Sequence, residues 1–172
     1  MHKINELLDL VKSIVLNAAT NIENQDNSKN KNYFFSAENP KEMKAEADNL
    51  IEHQILSQLT PLGLPVLSEE SGYLPNSNES DFYFIVDPLD GTYNFVKGLG
   101  PCGISIALWA GDKPIFGVIY DLVKKQLIYG GADLGSFCEG SKIHVSDTKS
   151  KSEASICTGF PVRFDLTNNN VL

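Results

Sequence analysis

The sequence predicts an α+β fold in which two helices cover one face of a mainly antiparallel sheet. Three observations carry that prediction. Apolar side chains recur at helical spacing over residues 3–22 and again over 43–59. Beyond residue 64 the pattern changes to short runs rich in β-branched and aromatic residues. Helices and strands therefore come in blocks, the order expected of helices layered on a sheet and not of repeated βαβ units. A chain of 172 residues, 42% hydrophobic and 21% charged, suits an ordinary globular core. A domain of this size buries roughly 68–70% of its unfolded surface.

The first helix rests on Ile4, Leu7, Leu8, Val11, Ile14, Val15, Ala18, Ala19 and Ile22, which share one face. QDNSKNKN (25–32) is polar and aperiodic and reads as a loop, and YFFS (33–36) as a short strand. Asn39-Pro40 opens the second helix, since proline suits a first turn whose N–H groups have no partner anyway. Met43, Ala47, Leu50, Ile51, Ile55 and Leu59 keep its period until Pro61, Gly63 and Pro65 end it. Strands are then expected at LPVLS, FYFIV, GISIALWA, KPIFGVIYD, QLIYGG and SFCEG, with turns at Gly111-Asp112 and Gly130-Gly131. SDTKSKSE (146–153) reads as a polar hinge between a first region, 1–148, and the start of another, 149–172. EASICTGF looks like a strand with nothing after it to receive it, which suggests a fragment of a longer protein.

Lys and Arg total 14 against 22 Asp and Glu, a net charge of −8 that argues against a nucleic-acid polymer as partner. A small phosphorylated substrate stays compatible, provided cations supply the positive charge. No apolar run is long enough to span a bilayer, and the N-terminus reads as an amphipathic helix, not a signal peptide. Three cysteines with no CxxC pair fit a reduced, cytoplasmic setting. His2, His53 and His144 lie singly, without zinc-ligand spacing.

The chemistry concentrates in IVDPLDGT. Pro88 cannot donate to a sheet ladder, so the strand from Phe82 is expected to stop at Val86. A tight turn would then bring Asp87 and Asp90 together with the Leu89 carbonyl between them, an oxygen set suited to a hard cation. DPLDG is equally a good turn sequence, and both readings stand at this point. PVLSEES puts Glu69 and Glu70 at the end of a second β-rich run. Glu46 and Asp48 lie on the second helix, where a solvated face is the plain alternative.

LSEES, then IVDPLDGTYNF, then GISIAL and GVIYD together resemble the inositol monophosphatase family of metal-dependent phosphomonoesterases. The resemblance runs from the first helix to TGFP. It implies a layered α/β sandwich of the inositol monophosphatase and sugar phosphatase type, represented here by its N-terminal portion. It also implies Mg²⁺ held by Glu69, Asp87 and the Leu89 carbonyl, with Asp90 bridging to a second ion. By the same resemblance Gly91 and Thr92 meet the substrate phosphate through backbone N–H groups. The Thr92 hydroxyl and Asp48 then orient and help deprotonate the attacking water, with Glu69 counted among the catalytic groups.

The implied activity is hydrolysis of a small phosphomonoester such as inositol 1-phosphate, in the cytoplasm, by a homodimer. A 3′-phosphoadenosine 5′-phosphate nucleotidase is the alternative within the same chemistry, and a non-catalytic metal-binding remnant the alternative outside it. The family's T-A-x-D stretch is KAEAD here, and no W-D-x-A segment occurs, since the only tryptophan, Trp109, precedes Ala110. The 172-residue form is therefore expected to be weakly active or inactive.

Overall fold

A computed structural model describes residues 2–28, 40–76 and 80–155. Helix α1 (His2–Ser28) and helix α2 (Pro40–Leu59) precede a short 3₁₀ turn, Thr60–Leu62. The strands are β1 (Val66–Ser68), β2 (Gly72–Leu74), β3 (Phe82–Asp90), β4 (Gly103–Ala110), β5 (Lys113–Asp121), β6 (Gln126–Gly131), β7 (Gly135–Cys138) and β8 (Ser141–Lys142). One turn of helix, α3 (Thr92–Val96), joins β3 to β4. The described strands form one sheet in the order β2-β1-β3-β4-β5-β6-β7-β8. Only β1 and β3 run parallel; every other neighbouring pair is antiparallel. The α+β class read from the sequence is the class observed.

The buried stripe of α1 is Leu8, Val11, Ile14, Val15, Ala18, Ala19 and Ile22. It packs on β4 and β5, while α2 packs on β3 and on α1. Facing them are Phe84 and Val86 of β3, Ile104, Ile106 and Leu108 of β4, and Phe116 and Val118 of β5. The alternate residues point to the opposite face, where Tyr83 and Trp109 pair across strands with ring centroids 6.4 Å apart. Lys125 reaches back from the β5–β6 turn to Glu23 of α1 at 2.9 Å, and Lys12 lies 4.4 Å from the Tyr129 ring centroid.

Gly130 and Gly131, expected in a turn, lie inside β6, and two further expectations are corrected. Helix α1 continues to Ser28, through the first four residues of the stretch that polarity predicts as loop. Once a helix is nucleated, each further turn adds a hydrogen bond per residue fixed, and polar residues extend it at little cost. Strand β3 does not stop at Val86; it runs through Pro88 to Asp90. The missing proline N–H is tolerated because β1 pairs with β3 no further than Val86, and because the β3–β4 ladder slips between Asp87 and Asp90. The readings at 33–36 and 156–160 lie outside the described residues.

Candidate active site

Because β1 and β3 are parallel and in register at Ser68 and Val86, the C-terminal end of β1 lies beside the C-terminal half of β3 at one end of the sheet. Glu69 and Asp87 are the next residues on each. The Glu69 N–H donates to the Val86 carbonyl at 3.0 Å, which pins the acidic turn after β1 to the foot of Asp87. On the other side Asp87 pairs with Ser105 and Asp90 with Gly103, three steps along β3 against two along β4. That extra residue is a bulge, a device that re-aims side chains at a strand end. Here it leaves Asp87 half-buried, Leu89 buried and Asp90 exposed.

Gly91 turns the chain from β3 into α3 with φ +75°, and a Cβ there would lie 2.7 Å from the Pro101 carbonyl oxygen. The Asn94 side chain donates to that same oxygen at 2.8 Å and closes the loop that leads to β4. Gly91→Ala is expected to lose about 2–3 kcal/mol through left-handed strain and the backbone clash. A urea titration showing less than about 1 kcal/mol would mean that the loop yields instead.

Thr92, 8% exposed, presents its hydroxyl to two acceptors, Asp48 Oδ1 at 3.1 Å and the Leu89 carbonyl at 2.8 Å. A hydroxyl has one proton, so the two acceptors share it. Asp48 is itself buried on α2, 3% exposed, so the solvated-face reading of this aspartate is overturned. The Leu89 carbonyl keeps a second lone pair for another partner.

Burial pushes the Asp87 carboxyl up to about 7, helped by a hydrogen bond and repulsion from Glu69 and by repulsion from Asp90; a Leu89 backbone hydrogen bond opposes the rise. Its Oδ1 is buried and accepts no hydrogen bond. A buried carboxylate oxygen without a donor, crowded by two more carboxylates, is short of positive charge. The donor set offers Glu69, Asp87, Asp90 and the Leu89 carbonyl, all oxygen, which fits Mg²⁺, an ion that keeps several of its own waters. Among the described residues no three His, Cys, Asp or Glu side chains converge into a cage for an ion. The carbonyl and water would have to complete the shell.

Sequence reasoning missed Glu52. It lies one helical turn after Asp48, is 5% exposed, and accepts hydrogen bonds from Ser68 and Ser71. The signal was available: Asp48 and Glu52, four apart, fall on the same stripe as Ala47, Ile51 and Ile55. Two acids inside an apolar stripe are not a solvated face.

Known proteins resemble this chain in sequence and in fold. A fructose-1,6-bisphosphatase of Pyrococcus furiosus is 43% identical over 101 residues, 59% of this chain and 39% of that protein. An inositol-1-monophosphatase of Synechocystis is 36% identical over 106 residues, 61% of this chain and 37% of that protein. The crystal structure of the extragenic suppressor protein suhB of Bartonella henselae superposes with a TM-score of 0.70 at 26% identity, over 83% of this chain and 55% of that one. The matches thus span well under two thirds of these relatives' lengths. The family model described as inositol monophosphatase family matches residues 4–170. This chain belongs to the inositol monophosphatase family.

Proposed function

We propose that the protein hydrolyses a small phosphomonoester, with Mg²⁺ held at the acidic ends of β1 and β3. The observation that carries the reading is the buried Asp48–Thr92 hydrogen bond, set at the same sheet edge as Asp87 and Glu69. When Thr92 donates to Asp48, the lone pairs of its oxygen are free to accept a proton from water. That water proton passes to Thr92 as the Thr92 proton moves onto Asp48, and the water oxygen attacks phosphorus. The ester P–O bond breaks, the leaving alkoxide takes a proton from solvent water, and the proton held on Asp48 returns to solvent. Gly91 and Thr92 hold the phosphate by their backbone N–H groups, as the family resemblance implies. Bound Mg²⁺ supplies positive charge against the phosphate oxygens and acidifies the water. Glu69, Asp87, Asp90 and the Leu89 carbonyl are the groups that would hold it.

Inositol 1-phosphate is the first substrate to test. Fructose 1,6-bisphosphate is the second reading, favoured by the name of the Pyrococcus relative. The net charge of −8 supports a small anion met through cations over a nucleic-acid polymer. The proposed setting is the cytoplasm and the proposed assembly a homodimer; no helix among the described residues is long and apolar enough to cross a membrane. Phosphate release by the full-length protein is measured from inositol 1-phosphate, fructose 1,6-bisphosphate and 3′-phosphoadenosine 5′-phosphate, with Mg²⁺ and with EDTA. Release from at least one substrate is expected, abolished by EDTA. Release indifferent to EDTA, or none from the panel, would overturn the reading.

A further inference from the structure

Glu52 is a carboxylate buried on the sheet-facing side of α2, and among the described residues it forms no ion pair. Its hydrogen bonds go to one place. Oε1 accepts from the Ser68 hydroxyl and from the Ser71 N–H at 3.0 Å, and Oε2 accepts from the Ser71 hydroxyl at 2.6 Å. Ser68 and Ser71 are the two ends of the turn that carries Glu69 and Glu70. Burial pushes the Glu52 carboxyl up, but the three bonds from Ser68 and Ser71 outweigh it and hold it below its ordinary range. The charged form is the one the turn grips.

The same turn is tied on its other side by the Glu69 N–H to the Val86 carbonyl. Helix α2 therefore braces both halves of the acidic edge, Asp48 through Thr92 and Glu52 through the serines. We propose that Glu52 is a positioning residue that aims the Glu69 carboxylate at Asp87 and so sets the affinity of this edge for a divalent cation, touching neither cation nor substrate. The proposal rests on the reading of the edge as a Mg²⁺ site. Residues that orient metal ligands typically change metal affinity 10–100-fold when replaced.

The test compares wild type, Glu52→Gln, Ser71→Ala and the core control Ile55→Val. Mg²⁺ affinity is read by calorimetry and Glu69 amide exchange by metal-free NMR. Glu52→Gln is expected to raise the Mg²⁺ Kd at least about 10-fold and to speed Glu69 exchange. Ser71→Ala, at an exposed position, keeps the fold and is expected to move both quantities the same way by less. Ile55→Val is expected to lower thermal stability and leave the Kd in place. Wild type that binds Mg²⁺ beside a Glu52→Gln that folds and binds equally well would overturn the role of Glu52 alone. Unchanged Glu69 exchange in Glu52→Gln would do the same without any metal. Wild type that binds no Mg²⁺ would overturn the site reading and this proposal together.

Discussion

Asp87→Asn is expected to make the metal-free protein more stable at pH 8 while abolishing its response to Mg²⁺. The reason lies in the Asp87 carboxyl, raised to about 7 by burial and by Glu69 and Asp90. Between about pH 4 and pH 7 the folded state keeps a proton that the unfolded state has released. Stability from this group is thus fully present below about pH 4 and is lost as pH rises towards 7. Since Asp87 is only half-buried, solvent screening reduces the loss to about 1–3 kcal/mol. Asparagine removes that slope. Its amide also cannot supply the anionic oxygen that a hard cation needs. Thermal melts in EDTA at pH 5 and pH 8 check the sign, with a shift of about 2–4 °C per kcal/mol at this size. Equal midpoints for wild type at the two pH values would contradict it. Glu52 works in the opposite sense: its depressed carboxyl stabilises the fold above its ordinary range and withdraws that support only in acid.

The largest loss of stability is expected from Phe84→Ala, about 3–5 kcal/mol. Phe84 is fully buried in the middle of β3, opposite Val66 of β1 and Leu108 of β4. It lies on the face that α2 covers, so truncation leaves a cavity between helix and sheet that rigid neighbours fill only in part. Against a total of about 5–15 kcal/mol for a typical domain, one such change removes a large share of the stability. Urea denaturation with an unchanged m-value measures it. A loss under about 1.5 kcal/mol would show that the core closes over the gap.

Much of the fold was legible because its signals are periodic. The spacing of Leu8, Val11, Ile14 and Val15 marks a helix face, and GISIALWA alternates across β4 as a half-buried strand does. β2 and β8, three and two residues long, escaped because so short an edge carries no period. Pro88 misled because the rule that proline ends a central strand ignores a partner strand that has already ended. In the site, the motif around Asp87 and Asp90 was visible as chemistry, and the roles of Asp48 and Thr92 entered through the family resemblance. The bond between those two, 44 residues apart, and the grip of Glu52 on Ser68 and Ser71 are tertiary facts. No local window contains both partners.

That separation also has a cost during synthesis. Helices α1 and α2 are synthesised before any described strand. With translation at about 5–20 residues per second, roughly 2–9 seconds pass between Asp48 and Thr92. For that interval Ile51, Ile55 and Leu59 have no sheet to cover them, and Asp48 and Glu52 interrupt the very stripe that two helices would otherwise bury against each other. The exposed stripe closes only when β3 arrives to pack on α2 and Thr92 reaches Asp48.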